Sequence, residues 1–205
     1  MPMSINEQSR PIRPYHDTLV NLVLAGLFAA ISYVVFVFLR VDINIGVTKT
    51  SFHAANTLVV LAPLLIAAPY GLLGPAIGLF LADMFSGYAH VAPETLILKI
   101  VMAAVCYYSF KALSRNTPTE STRHYLNATI AMIAGLVTNA ILAPVSSYFY
   151  HTYLLGSATS PAKIFVKISA GVTWFNAVLS AILGAVIYVA LYKALKHSHL
   201  KHFFH

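Results

Sequence analysis

The sequence has little charge: its 205 residues include 13 Lys and Arg and only 6 Asp and Glu, so that 9% of positions are charged. Hydrophobic residues make up 59%, and the mean hydropathy is +0.75. Soluble domains typically have about 25% charged residues, so this composition excludes an ordinary soluble fold. It predicts an integral membrane protein.

Cysteine and catalytic motifs are also scarce. The single cysteine, Cys106, excludes an intramolecular disulfide and a cysteine-based metal cluster. GxSxG, HExxH and Walker sequences are absent, and no predicted helix pairs two carboxylates. We therefore predict that the chain is not an enzyme, holds no cofactor or resident metal, and has no ATP site of its own.

The long apolar runs predict an all-α fold, with one membrane domain over residues 1–205 and six transmembrane helices. Residues 1–17 form a polar N-terminal segment, and the run after them is longer than a signal-peptide core. Residues 196–205 form a basic, His-rich tail. The predicted helices are Thr18–Leu39, Phe52–Ala68, Leu72–Phe85, Thr95–Leu113, Tyr125–Tyr150 and Pro161–Leu195.

The histidines of the tail resemble a metal-binding tract. They lie among lysines and phenylalanines, which favours a solvated tail that contacts anionic lipid. The four residues are His197, His199, His202 and His205.

Basic residues predict the orientation of the helices. With six spans, the side that holds both termini has eight Lys and Arg, and the other side has five. The positive-inside rule therefore predicts cytoplasmic termini and a bacterial plasma-membrane location. The first set is Arg10, Arg13, Lys111, Arg115, Arg123, Lys193, Lys196 and Lys201, and the second is Arg40, Lys49, Lys99, Lys163 and Lys167.

Between the first two predicted helices, Arg40–Ser51 alternates apolar and polar residues. A period of two predicts extended chain or a small hairpin at the membrane surface. Such a segment is either a lid over a cavity or a plain connector.

The stretch Gly71–Lys99 carries the densest set of signals. Gly74, Gly78 and Ala82 are four residues apart, so they share a helix face that another helix can approach closely. Asp83 ends that helix, and Lys99 lies one turn inside the next. An ion pair between the two helices is a better interpretation of these two charges than an acid–base pair.

Small residues also line one face of the first predicted helix. Ala25 and Ala29 are four residues apart, as are Gly26 and Ala30 beside them. Close packing against another helix is one interpretation. The other is that alanine and glycine are simply common in membrane helices.

Polar and aromatic residues converge on the predicted outer surface. Together they suit a pocket for a small, planar, hydrogen-bonding molecule, although each alone could be an interfacial anchor or an interhelical contact. The candidate binding residues are Lys49, Phe52, His53, Asn56, Tyr88, His90, Glu94, Asn139, Tyr148, Trp174 and Asn176.

These features resemble the S-component of energy-coupling factor (ECF) vitamin transporters. The resemblance covers nearly the whole chain and is strongest in the helix GLLGPAIGLFLAD and the corner SGYAHVAPETLILK. It points to the branch with riboflavin- and pyridoxine-type members.

The resemblance implies a subunit that binds a vitamin at the outer face, beneath the segment between helices 1 and 2. It also implies docking on a membrane coupling protein driven by two ATPases, followed by toppling. The family's Ala-xxx-Ala docking motif corresponds to Ala25 and Ala29.

The identity of the vitamin is a separate question. The side chains favour a small neutral ring such as pyridoxine or a hydroxymethylpyrimidine, ahead of riboflavin, pantothenate or folate. A stand-alone oligomeric channel or facilitator for a small solute is the alternative function.

Overall fold

The computed structural model describes residues 14–45, 48–118, 121–154, 156 and 159–196. Residues 1–13 and 197–205 lie outside this description, and with them most of both predicted tails and the histidine tract. The described residues form helices and one two-stranded antiparallel hairpin, which follows the first helix. The elements are α1 Pro14–Phe38, β1 Arg40–Ile45, β2 Thr48–His53, α2 Asn56–Leu65, α3 Tyr70–Phe85, α4 Ala92–Ser114, α5 Thr122–Phe149 and α6 Thr159–Lys196.

Length and hydropathy qualify four of these helices to cross a membrane, and the chain is a multi-pass membrane protein. The four segments are Thr18–Phe38, Ala89–Ser114, Thr122–Phe149 and Val166–Ala194. Helices α2 and α3 are apolar but have only 10 and 16 residues. A full span needs about 20 residues. Six spans therefore remain a prediction.

Most predicted helix ends shift by one to four residues, and the largest differences from the structure lie at three places. Helix α2 is shorter than the predicted Phe52–Ala68 because its first residues pair in β2 and because Ile66 is extended. The loop predicted at His151–Ser160 begins instead with a π-helical turn, Tyr150–Leu154, that continues from α5. The helix predicted to start at Thr95 begins earlier, at Ala92, after a 3₁₀ turn at Ala89–Val91.

Helix α2 lies at the centre of the bundle, with nine of its ten residues buried. A helix that is apolar on all sides is buried either in lipid or in a protein core, and here the other helices bury it. Met102 and Cys106 of α4 and Met132 and Leu136 of α5 belong to the same buried cluster. The bundle thus packs around a short central helix.

Helices α1 and α3 meet through their small residues. A Cβ added to Gly74 would lie 2.7 Å from the carbonyl oxygen of Ala25, and one added to Gly78 would overlap the backbone of Ala29. Ala25 is only 9% exposed. The predicted small-residue faces of these two helices therefore pack against each other, backbone to backbone.

This packing predicts that Gly78→Ala lowers the thermal stability of the detergent-purified chain. The new methyl group must push α1 away, and overpacking of this kind typically costs about 1–3 kcal/mol. Gly26→Ala is the matched control, because no atom lies within 4 Å of a Cβ added there. Thermal melts of the two variants should differ by several degrees. Equal melting temperatures would contradict the close α1–α3 contact.

Candidate functional site

The side chains of Arg40 and Lys49 fasten the β1–β2 hairpin to the corner between α3 and α4. The Arg40 guanidinium donates to the hydroxyl of Ser86 at 2.7 Å and to its carbonyl oxygen at 3.2 Å. Lys49 Nζ donates to the same carbonyl at 3.1 Å. Gly87 follows with a φ of +85°, a conformation that favours glycine, and a Cβ there would meet Lys49 Nζ at 2.8 Å. Two cations thus converge on one turn.

Asp42 and Tyr88 complete this contact. Arg40 Nε and Lys49 Nζ lie 3.0 and 3.6 Å from the carboxylate of Asp42. The Tyr88 hydroxyl donates to Asp42 at 2.9 Å, while Lys49 Nζ lies 4.2 Å from the centre of the Tyr88 ring. Burial raises the pKa of Tyr88, so its hydroxyl stays protonated and remains a donor.

Asn176 of α6 holds the outer edge of β2, near the end of the hairpin where Arg40 pairs with His53. The side-chain oxygen of Asn176 accepts from the backbone N–H of His53 at 3.0 Å, and its Nδ2 donates to the carbonyl of Ser51 at 2.9 Å. One buried amide side chain thereby replaces the missing strand partner of β2. The hairpin is fixed to both the α3–α4 corner and α6.

Beneath the hairpin lies a polar cavity of about 150 Å³. Its lining comes from the hairpin and from helices α1 to α6. The lining residues are Phe36, Lys49, Thr50, Ser51, His53, Asn56, Leu79, Asp83, Tyr88, His90, Val91, Glu94, Thr95, Leu98, Lys99, Asn139, Ala143, Ser147, Ser169, Thr173 and Asn176.

Two side-chain contacts join α4 to α5 at this cavity. Lys99 Nζ donates to the side-chain oxygen of Asn139 at 3.1 Å, and the Ser146 hydroxyl donates to Glu94 Oε1 at 2.7 Å. Polar groups in such helices usually face a partner or a wet space. Here each group has a hydrogen-bond partner, and Lys99, Asn139 and Glu94 also line the cavity.

The predicted ion pair between Asp83 and Lys99 is wrong as a direct contact. Within the described part of the chain, the ion pairs are Arg40–Asp42 and Lys49–Asp42. Lys99 is bonded to an amide instead, and both charges line the cavity. Sequence reasoning placed both charges near the α3–α4 corner, but it did not show that Lys99 bonds to Asn139 of α5.

The formal charges of the cavity balance. Lys49 and Lys99 are basic, and Asp83 and Glu94 are acidic. Burial, followed by the positive charges of Lys99 and Arg40, lowers the pKa of His53 to about 3, so this imidazole is neutral near pH 7. The cavity therefore contains both positively and negatively charged side chains, and their formal charges sum to zero.

Most of the candidate binding residues come together here. Eight of the eleven line the cavity: Lys49, His53, Asn56, Tyr88, His90, Glu94, Asn139 and Asn176. Three do not. Phe52 packs edge-on against Phe175, Tyr148 lies beside Phe149, and Trp174 is 45% exposed. Since Trp174 and Asn176 are about 200° apart around α6, the inward turn of Asn176 directs the tryptophan outward.

Sequence reasoning missed the hydroxyl-bearing residues of the cavity. Ser169 and Thr173 of α6 line it together with Asn176. Their spacing of four and three residues is the signature of one helix face, and it was available in the sequence. Sequence reasoning also missed that Arg40 holds the hairpin to the α3–α4 corner, because nothing in the neighbouring sequence identifies Ser86 as its partner.

Metal ligands do not cluster in the described part of the chain: no group of three or more His, Cys, Asp or Glu there could hold an ion. The cavity instead presents amides, hydroxyls, two carboxyls and two ammonium groups. Such a set can bind and orient an organic molecule through hydrogen bonds.

The comparison with protein families gives one match, to the family described as "ECF-type riboflavin transporter, S component", over residues 17–193. The match spans most of the 205 residues. The chain belongs to this family. Neither the curated proteins nor the solved structures include a match.

Membership in the ECF S-component family has direct consequences. The family is one of transporters and not of enzymes, and its members bind a small vitamin substrate and associate with partners of the ECF module. A cavity rich in hydrogen-bonding groups in a multi-pass membrane protein is consistent with that role.

The Asn176 contact predicts that Asn176→Leu loosens the hairpin. Leucine leaves the His53 N–H and the Ser51 carbonyl without their partner, at about 1–3 kcal/mol for each buried group. Hydrogen–deuterium exchange of the β2 amides should become faster. Trp174→Leu, two residues away and outside the cavity, is the control and should leave this exchange unchanged. Slow exchange in the Asn176 variant would refute the role of this clamp.

Proposed function

We propose that this S-component is the high-affinity binding subunit of an ECF-type importer for a one-ring, water-soluble vitamin or vitamin precursor. Pyridoxine and hydroxymethylpyrimidine are the chemical types that fit best. The observation that carries this proposal is the cavity beneath the hairpin, with its volume of about 150 Å³ and its balanced charge.

Volume argues for a single ring. Cavities of about 150 Å³ are large enough for a molecule the size of benzene. Riboflavin has three fused rings and a sugar-alcohol chain, so it would need the hairpin to move well away from the α3–α4 corner. Phe36 and Tyr88, which line the cavity, offer aromatic surface for one planar ligand.

Charge argues for a neutral or zwitterionic ligand. A strongly anionic molecule such as folate would place its carboxylates near Asp83 and Glu94, and two lysines only offset those two acids. Pantothenate, with one carboxylate, is less disfavoured. The neutral form of His53 adds no positive charge.

Membership in the family supports a transport cycle of docking and toppling. We place the cavity at the outer face with the hairpin as its lid, and both termini in the cytoplasm of a bacterial cell. The subunit then docks on the membrane coupling protein, which two ATPases drive, and topples to deliver its ligand.

The contact surface between α1 and α3 supports a docking face next to the predicted one. Two apolar grooves lie along it, and Gly26 and Ala29 line both. Gly26 and Ala30 are exposed, whereas Ala25 faces α3. We therefore extend the docking face from Ala25 and Ala29 to the exposed pair Gly26 and Ala30.

The binding proposal predicts that the purified chain alone binds pyridoxine or hydroxymethylpyrimidine with micromolar or better affinity, and riboflavin at least tenfold more weakly. Isothermal titration calorimetry in detergent measures both, and mass spectrometry of retained small molecules gives an unbiased check. Riboflavin as the tightest ligand would overturn the one-ring assignment. Millimolar binding of every vitamin would overturn the binding-subunit role.

The docking proposal predicts different effects for two double variants. Gly26→Leu with Ala30→Leu adds bulk to the exposed face, so ligand affinity should persist while co-purification with the coupling protein and uptake are lost. Ala25→Leu with Ala29→Leu should also lower the melting temperature, because these side chains lie against α3. Normal uptake by the first variant would move the docking face elsewhere.

A further inference from the structure

Two oxygen atoms in the cavity are buried without a hydrogen-bond partner among the described residues. They are Oδ1 of Asn56 and Oε2 of Glu94. Asn56 is 2% exposed and Glu94 is 9% exposed, and both residues line the same space. A buried acceptor without a donor is costly, so such atoms indicate where a bound molecule supplies the missing group.

The other unpartnered atoms of the described chain differ in kind. Five are hydroxyls, which can turn toward a nearby carbonyl, and the sixth is Nδ1 of His124 in a separate aromatic cluster. An amide oxygen and a carboxylate oxygen can only accept. Asn56 Oδ1 and Glu94 Oε2 are therefore the two acceptor-only atoms among those without a partner, and both residues line the cavity.

Neighbouring contacts hold these two groups in place. Glu94 Oε1 already accepts from Ser146, which directs the carboxylate and leaves Oε2 available. Asn56 is the first residue of α2, the central buried helix, so its position is fixed by the core. Lys99 donates to Asn139 but has three N–H groups, and it can supply a donor to the ligand as well.

We propose that the ligand presents two N–H or O–H donors, one to Asn56 Oδ1 and one to Glu94 Oε2, and an acceptor atom to Lys99 Nζ. This inference rests on the proposed function and specifies its substrate class. The class is a small ring that carries at least two amino, hydroxyl or hydroxymethyl donors and an acceptor such as a ring nitrogen or a hydroxyl oxygen. Rings whose polar atoms are all acceptors are excluded.

The test compares ligands with and without each donor. Pyridoxine and 4-amino-5-hydroxymethyl-2-methylpyrimidine are titrated by calorimetry into the wild-type full chain, beside analogues methylated on the hydroxymethyl oxygen or dimethylated on the amino nitrogen, which removes both N–H groups. Loss of one donor to a buried acceptor should weaken binding about tenfold to a hundredfold. Equal affinities for a parent ring and all of its methylated analogues would overturn the inference.

Variants assign each donor to its acceptor. Asn56→Leu should lose at least tenfold in affinity, whereas Asn56→Gln, which keeps an uncharged acceptor, should retain more of the affinity. Glu94→Gln should reduce the penalty of methylation at the group that contacts Glu94. Asn127→Leu is the matched control, because Asn127 is buried but bonds to Leu113 and Thr117 outside the cavity.

The outcomes separate this inference from the proposed function. If neither parent ring binds, the one-ring function fails and the donor assignment fails with it. If a parent ring binds tightly but Asn56→Leu and Glu94→Gln bind it as well as the control does, the function stands and the donor assignment is wrong. The methylated analogues report on the wild type, so a variant that does not fold leaves the test intact.

Discussion

The cavity depends on the clamp that Asn176 forms with β2. A two-stranded hairpin is marginally stable alone, and here its outer strand finds a partner in one side chain of α6. The side chains of Arg40 in β1 and Lys49 in β2 both donate to the Ser86 carbonyl. The hairpin is thereby held between α6 and the α3–α4 corner, and the space below it remains open to a ligand.

The second constraint is close backbone packing in an apolar solvent. Lipid gives helices no hydrophobic reason to associate, so α1 and α3 rely on van der Waals contact that Gly74 and Gly78 permit. Such contact needs no polar side chain. Small residues thus join α1 to α3, whereas polar contacts such as Lys99–Asn139 join α4 to α5 beside the cavity.

Much of this arrangement was predictable from the sequence. Alternation over Arg40–Ser51 predicted the hairpin, and steps of four predicted the packing face of α3. The outward position of Trp174 and the Lys99–Asn139 bond were not, because hydropathy gives neither the rotation of a helix nor its neighbours. The predicted length of α2 was too great for a related reason. Phe52 of β2 and the apolar residues before Pro69 continue the hydrophobic run of the helix.

Helix α2 has a consequence for the energetics of permeation. Its ten residues extend about 15 Å, roughly half of a 30 Å hydrocarbon core, and the cavity opens at its first residue, Asn56. A ligand in the cavity therefore lies against one end of a buried apolar helix, among side chains whose formal charges balance. The rest of α2, about three helical turns long, buries Val59, Val60 and Leu61 completely. We expect this packing to prevent leakage of solutes through the subunit itself, in keeping with a delivery that moves the whole subunit.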